Sequence, residues 1–236
     1  MPISSLARTS PSNLISSFRP VILIAAAVVA GSAASATASI IGTTGAATLI
    51  ARPANAQLNV LQSNTQAFVW NEAQGVTLTS PVVFNASAPG TYLSASSFVS
   101  GNLPTGTLAN SHYISFDTVG GSSQVANGTV TFNANIIGVI AWNRPGSRDL
   151  DGSDAQFGLG TLFTINNDRR GVFDVDAGTA VPQDDSFTIS ANRRTLTFSL
   201  QVSSPFDQIR VVTAIPSPSA AALLGLGGLL AARRRR

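Results

Sequence analysis

Three aspartates in the stretch RDLDGSD are the residues of this chain whose spacing best suits a chemical role. Asp149, Asp151 and Asp154 surround Gly152, in a segment that follows the turn-forming residues 142–146. Ca²⁺ takes six to eight oxygen ligands in a flexible arrangement, and carboxylates on a glycine-containing loop can supply them. The spacing is not that of an EF-hand, because the glycine is misplaced and no closing Glu follows. The segment is therefore a candidate calcium site on a loop.

The other late carboxylates leave two alternatives open. Asp174, Asp176 and the pair Asp184–Asp185 would join the same site only if the fold brought them together. The first alternative is a set of solvated loops with arginine partners. Nearby arginines are Arg144, Arg148, Arg169 and Arg170. The second alternative is an acid pair of the glycoside-hydrolase kind, which depends on a carboxylate separation that a sequence does not reveal.

The single histidine, His112, is predicted to have a structural role. In an alternating strand it shares a face with Ile114 and Phe116. One histidine cannot form a multi-histidine metal site, and the chain has no G-x-S-x-G nucleophile turn. The chain also has no cysteine, which excludes thiolate metal sites, a cysteine nucleophile and disulfides. We therefore predict no catalytic residue, and no cofactor apart from the calcium candidate.

Four aromatic residues, Trp70, Tyr92, Tyr113 and Trp142, admit two interpretations. Flat aromatic rings can stack on sugar rings, which would make them a carbohydrate-binding face. Trp70 and Trp142 lie in apolar strand-like runs, however, and aromatic side chains in such runs usually pack in the core. The sequence does not separate the two interpretations.

The positive charge of the chain comes from its two ends. The formal net charge is +3, with 14 basic residues, all of them arginine, and 11 acidic residues. Seven arginines lie within residues 1–56 or in the last four positions, so the middle has seven against all 11 acids and a net charge of −4. No basic stripe with interleaved aromatics remains, which argues against a nucleic-acid partner.

Residues 57–213 have the pattern of one all-β domain. TLTFSLQV (Thr195–Val202) alternates apolar and polar residues and predicts a half-buried strand, joined to FTIS (Phe187–Ser190) by a hairpin loop. Asn127-Gly128 predicts a two-residue hairpin turn. Further strand candidates are Ala67–Trp70, Gly75–Phe84, His112–Phe116, Ile136–Trp142, Gly160–Ile165 and Gln208–Thr213. Short strands at this spacing predict a single antiparallel β-sandwich or jelly-roll-like domain.

Residues 1–56 have the features of a signal peptide. The first 20 residues carry Arg8 and Arg19 and no acid, and the apolar run Val21–Ala30 has the length of a signal-peptide core rather than a membrane span. Small-residue cleavage sites follow at residues 34–36, 36–38 and 54–56. Residues 31–51 show no strand alternation, so we predict cleavage after Ala56. The alternative is an N-terminal buried helix or membrane anchor.

The last residues, 214–236, form a tail with three parts. Pro216, Ser217 and Pro218 interrupt any strand, because proline lacks the backbone donor. Residues 219–232 are uncharged and rich in Leu, Ala and Gly, which predicts a short hydrophobic helix. The chain then ends in a basic cluster formed by Arg233, Arg234, Arg235 and Arg236. The four terminal arginines would stay on the cytoplasmic side of a membrane and hold this segment as a stop-transfer anchor, with the domain outside.

This tail resembles the PEP-CTERM sorting signal of Gram-negative envelope proteins. Ser217 stands where the name-giving motif has Glu, and the glycine-containing hydrophobic stretch and arginine cluster follow in the same order. The resemblance implies export through the secretory translocon, a transient inner-membrane anchor and cleavage near Pro-Ser-Pro by an exosortase. Delivery to the cell surface or extracellular matrix would follow. The resemblance covers only about 22 residues and implies nothing about the fold or activity of residues 57–213.

The sequence thus predicts an exported, non-enzymatic protein of the cell surface or matrix, with exopolysaccharide as a candidate partner. Two alternatives stay open: a secreted carbohydrate-active hydrolase and a calcium-dependent binding module. A buried acid pair converging in a groove would favour the hydrolase, whereas acids scattered on solvated loops would favour a structural protein.

Overall fold

The computed structural model describes residues 39–121, 123–143, 146–158, 162–164, 167, 170–172, 185–202 and 206–215. The predicted signal-peptide core and the sorting tail from residue 216 onward lie outside these ranges. Over the described ranges no helix is long and apolar enough to cross a membrane.

Strands dominate the described residues. They are β1 Ile40–Gly45, β2 Ala47–Leu49, β3 Ala67–Thr77, β4 Val82–Phe84, β5 Gly90–Tyr92, β6 Gly101–Leu103, β7 Leu108–Asp117, β8 Gln124–Phe132, β9 Ile136–Ile140, β10 Ser186–Ile189, β11 Thr195–Val202 and β12 Phe206–Ala214. One α-helix, α1, spans Asp149–Phe157, and short 3₁₀ turns lie at Ala95–Ser97 and Val119–Gly121.

Two five-stranded sheets form a β-sandwich. Sheet I has the order β1-β8-β11-β10-β5, and sheet II has the order β2-β3-β7-β12-β9. All pairings are antiparallel except that of β2 with β3. Both sheets contribute side chains to one apolar core, with Phe198 and Val130 from sheet I and Ile114 and Val211 from sheet II among them. The prediction of an all-β domain is confirmed.

Strand β11 shows why the sequence pattern was informative. Its apolar positions, Leu196, Phe198, Leu200 and Val202, are buried, while the alternate polar positions face outward. Because successive side chains of a strand point to opposite faces, period two places one set in the core. The predicted hairpin with β10 is also present, with Ser186 to Ile189 paired against Leu196 to Ser199.

The central strands of sheet II are buried on both faces. Every residue of β7 after Leu108 is buried, and so is every residue of β12 before Ala214. One face of these strands packs in the sandwich core. The other is covered by α1 and by the segment around Phe163, which form a second apolar cluster with Trp70 and Tyr113. This second layer positions the charged residues described below.

The domain begins earlier in the chain than the predicted boundary at residue 57. Residues 40–49, assigned there to the leader, form the edge strands β1 and β2. Ile40 and Ala47 are buried in the core, and the Ala56 backbone N–H donates to Leu162 O at 2.9 Å. A bulge between Ile40 and Gly42 breaks the alternation of β1, and β2 has only three residues. Neither strand is therefore visible as a period-two pattern.

The Asn127-Gly128 pair is not a hairpin turn, and this prediction is wrong. Both residues lie inside β8, paired with Ser199 and Phe198 of β11. A Cβ at Gly128 would lie 2.6 Å from Phe198 Cζ and 2.9 Å from Ala47 N. Glycine is needed here for close packing between strands rather than for a turn conformation.

Candidate functional site

The three aspartates of RDLDGSD lie on helix α1, so the predicted loop is wrong. Leu150, Ser153, Asp154 and Phe157 are its buried residues, and their spacing of three, four and seven places them on one helical face. Gly152 and the aspartates are weak helix formers, which explains why the sequence suggested a loop. The helix begins with acidic residues, which its positive N-terminal dipole end favours.

The helix separates the three carboxylates from one another. Asp149 accepts hydrogen bonds from Asn85 Nδ2 at 2.6 Å and from Ser147 Oγ at 2.9 Å. Asp151 and Asp154 instead face Arg170, whose Nη1 lies 2.7 Å from Asp151 Oδ1. Asp149 therefore does not share a site with the other two.

Arg170 is buried and makes hydrogen bonds with all of its nitrogens. Nη1 and Nη2 donate to the two oxygens of Asp154 at 2.5 Å and 2.8 Å. Nη2 also donates to Tyr113 Oη at 2.8 Å, and Nε donates to Gln208 Oε1 at 2.8 Å. The Arg170 guanidinium lies 4.5 Å from the ring centre of Phe163, so this ring covers one face of the guanidinium.

Arg210, on β12, forms the second half of the same network. Its Nε and Nη2 donate to the two oxygens of Glu72 at 2.8 Å and 2.6 Å, and Nη2 also donates to Asp154 Oδ1 at 2.8 Å. Nη1 donates to Leu150 O at 3.1 Å and to Ser153 Oγ. Asp154 thus bridges two arginines, and Arg210 joins helix α1 to strands β12 and β3.

Tyr113 lies at the centre of this arginine network. Its hydroxyl donates to Gln208 Oε1 at 2.7 Å and accepts from Arg170, while its ring stacks on Phe163 at 4.5 Å. Burial raises the pKa of the Tyr113 hydroxyl well above its ordinary value. The side chain therefore stays protonated and acts as a fixed hydrogen-bonding group.

The buried charges neutralise one another. Glu72, Asp151 and Asp154 face Arg170 and Arg210, and Arg148 lies 3.6 Å from Asp151 at the edge of the cluster. Burial alone would lower the pKa of Arg210, but the charges of Glu72 and Asp154 raise it overall. The pKa of Arg170 is raised as well, so both arginines remain charged.

This arrangement does not resemble an acid–base pair or a cation site. A catalytic carboxyl needs access to substrate and a pKa matched to proton transfer, whereas Glu72 and the inward-facing Asp154 of α1 are buried between this helix and sheet II. Nor does the described part of the chain contain a group of three or more His, Cys, Asp or Glu residues arranged to hold a metal ion. What the cluster does is fasten helix α1 to sheet II.

The sequence analysis missed both anchors of this network. Glu72 and Arg210 are 138 residues apart, so no local spacing connects them. One signal was available: Arg210 is a single charge inside the apolar strand QIRVVT. A charge at such a position indicates a buried partner, because an isolated buried charge is costly.

His112 has the structural role that the sequence predicts. It is buried on β7, with Nδ1 2.8 Å from Asn71 Oδ1 and Nε2 3.0 Å from Thr213 Oγ1. Asn71 Oδ1 also accepts from Ile40 N, so it is an acceptor and Nδ1 carries the proton. Burial lowers the pKa of His112 to about 3. The ring is therefore neutral across the ordinary pH range.

The four candidate sugar-stacking aromatics do not form a common exposed face. Trp70 and Tyr113 are fully buried against each other, with ring centres 5.1 Å apart. Tyr92 is buried in the sandwich core against Phe187, 5.0 Å away. Trp142 is half-buried and packs edge-on to Phe98. The packing interpretation accounts for all four.

The outward side of sheet I is a second candidate surface, which we call the hydroxyl face. Its polar members are Thr44, Thr91, Asn127, Thr129, Thr131, Ser186, Thr188, Thr195, Thr197, Ser199 and Gln201. The five strands of this sheet contain no charged residue. A shallow groove of about 270 Å³ lies on this side, between Thr44 and Ser186.

The predicted sorting residues, Pro216–Pro218 and Arg233–Arg236, lie outside the described residues. Comparisons of the chain with protein-family models, with curated proteins and with solved structures find no match.

Proposed function

We propose that this chain is an exported, non-enzymatic protein of the cell surface or extracellular matrix with a structural or polysaccharide-associated role. Its C-terminal tail directs the sorting, through the translocon, the inner membrane and an exosortase. The proposal of a non-enzymatic role rests on how the buried carboxylates are bound. Glu72 and Asp154 converge on Arg210, but they are buried where helix α1 meets sheet II rather than exposed in a groove.

The position of β1 supports a leader that ends before Ser39. Cleavage after Ala56 would remove both edge strands and the buried side chains of Ile40 and Ala47. Cleavage at residues 34–36 or 36–38, the other small-residue sites, would leave every described strand intact. We therefore assign the mature N-terminus to one of these two sites.

The end of β12 supports a removable tail. Ala214 is the last paired residue of the strand, and its N–H donates to Asn135 O at 2.9 Å. Pro216 follows two residues later. Cutting at Pro-Ser-Pro would therefore leave in place every hydrogen bond that the described residues of the two sheets make with one another.

The intact mass of the mature protein from its native host tests this processing. We expect a chain that begins at Thr37 or Ser39 and ends near residues 216–218. A chain that begins at Gln57, or one that retains the four terminal arginines, would contradict the proposed processing.

A further inference from the structure

The hydroxyl face contains a threonine row that crosses the whole of sheet I. Thr44 pairs with Thr129, Thr129 with Thr197, Thr197 with Thr188 and Thr188 with Thr91. Each of the five strands thus contributes one outward threonine at the same level. Neighbouring strands lie about 4.8 Å apart, so the row presents a hydroxyl at that interval over roughly 19 Å.

Four of the five hydroxyls in this threonine row are hydrogen-bonded in pairs before any ligand arrives. Thr91 Oγ1 and Thr188 Oγ1 are 2.9 Å apart, and Thr129 Oγ1 and Thr197 Oγ1 are 3.3 Å apart. A hydroxyl has one donor and two acceptor sites, so each pair keeps capacity for further hydrogen bonds. Pre-organised groups lose less entropy on binding than mobile ones.

A second level of polar groups runs beside the threonine row. Ser186 pairs with Ser199, and Ser199 pairs with Asn127. These residues and the central part of the threonine row line the same shallow groove. The groove therefore presents two parallel lines of hydrogen-bonding groups to one elongated ligand.

The chemistry of the hydroxyl face selects among classes of ligand. Nucleic acids and anionic polymers need basic side chains, and the strands of sheet I have none. Membrane surfaces need a broad apolar or cationic face, whereas the large exposed apolar side chains in the strands of sheet I are two single residues on different strands, Ile41 on β1 and Val125 on β8. Protein interfaces are enriched in aromatic residues, Met and Arg and depleted in Ser. An uncharged polymer with many hydroxyl groups is the partner that complements this surface.

We infer that the hydroxyl face is a binding site for a neutral polysaccharide, lying along the groove across the threonine row. This inference rests on the proposed surface or matrix role, since it names the partner class and the residues that would contact it. Hydroxyl groups and ring oxygens of the sugar would exchange hydrogen bonds with Thr129, Thr197 and Thr188. The threonine methyl groups would contact the apolar faces of the sugar rings.

Affinity electrophoresis of the mature protein tests the inference, with mobility normalised to a gel lacking polysaccharide. Dextran and hydroxyethyl cellulose are the neutral probes, and alginate is the anionic one. We expect retardation by at least one neutral probe, and a loss of affinity of roughly tenfold in Thr197→Arg and in Thr91→Arg. Thr77→Arg, which changes an exposed threonine of sheet II, is the matched control and should bind as the unchanged protein does.

Three results would overturn the inference. Retardation by alginate alone would exclude a neutral ligand. Equal retardation of Thr197→Arg, Thr91→Arg and the unchanged protein would place the polysaccharide elsewhere on the molecule. Absence of retardation by every probe would exclude the face as a glycan site. The surface or matrix role is tested separately, by the location of the protein in its native host with and without residues 215–236.

Discussion

Arg210 on β12 reaches across strand β7 to Glu72 on β3 and binds both of its carboxylate oxygens, at 2.8 Å and 2.6 Å. Both side chains are fully buried. The pair therefore ties together two strands that are not neighbours, while Asp154 fastens helix α1 to the same guanidinium. Since all three side chains are buried, bulk solvent screens their charges little, and they depend on one another.

Removing one partner of this pair should destabilise the fold strongly. Arg210→Met leaves Glu72 buried without its counter-charge, and such changes cost about 3–5 kcal/mol of unfolding free energy. Urea unfolding followed by the fluorescence of buried Trp70 would measure this cost. The double variant Glu72→Met with Arg210→Met should recover part of the loss, because neither charge is then left unpaired. A loss below about 1 kcal/mol in Arg210→Met, the level of an exposed pair, would show that the pair is not buried as described.

His112 should make stability depend on pH below neutrality. Its pKa in the folded protein, about 3, lies below the ordinary value of 6.5. Between these pH values the unfolded chain binds a proton at His112 and the folded chain does not. The contribution to stability is complete above about pH 6.5 and falls by about 1.4 kcal/mol per pH unit as the pH drops toward 3.

The matched variant for this effect is His112→Gln, which keeps a donor and an acceptor beside Asn71 and Thr213. Carboxylates titrate in both proteins, so the quantity to compare is the difference in unfolding free energy between them at pH 7, 6, 5 and 4. We expect the unchanged protein to lose stability relative to His112→Gln as the pH falls. A constant difference would mean that the pKa of His112 in the folded protein is not lowered below its value in the unfolded chain.

The strands at the N-terminal side should be needed for stability. A chain that begins at Ser39 keeps β1 and β2, whereas one that begins at Gln57 lacks both. Burial of the Ile40 side chain alone contributes about 1.5–3 kcal/mol. The midpoint of urea unfolding should therefore be lower for the shorter chain. Equal midpoints would remove the structural argument for a leader that ends before Ser39.

Chelation of divalent cations should leave the melting temperature unchanged. Asp151 and Asp154 are already bound by arginine, and Asp149 is bound by Asn85 and Ser147. A cation that bound only the folded state would raise stability by mass action. We therefore expect the same melting temperature with EDTA and with added Ca²⁺. A drop in EDTA that Ca²⁺ reverses would support the calcium interpretation instead.

The sequence was informative where one face of a strand is solvated. In β11, polar and apolar residues alternate because one side faces solvent and the other the core, so both its strand and its hairpin could be predicted. The alternation of β7 correctly placed His112 beside Ile114. It did not show that Tyr113, on the opposite face, is also buried, because α1 covers that face from far along the chain.

The candidate sites depended on contacts between distant residues. Arg170 and Arg210 meet Asp154 from 16 and 56 positions away, so their pairing has no local signature. The threonine row likewise needs the register of five strands, although the outward polar set of β11 was evident in TLTFSLQV. Spacing in the sequence predicts on which face of a strand a residue lies. The order and register of the strands determine which residues of different strands contact one another.

The most direct test of the central proposal is the location of the protein in its native host with and without residues 215–236. The full chain should be retained at the cell surface or in the extracellular matrix. A chain that ends at Ala214 keeps all described strands, so it should fold with the same melting temperature but lose that retention. Unchanged surface retention of the shortened chain would contradict sorting by the C-terminal tail.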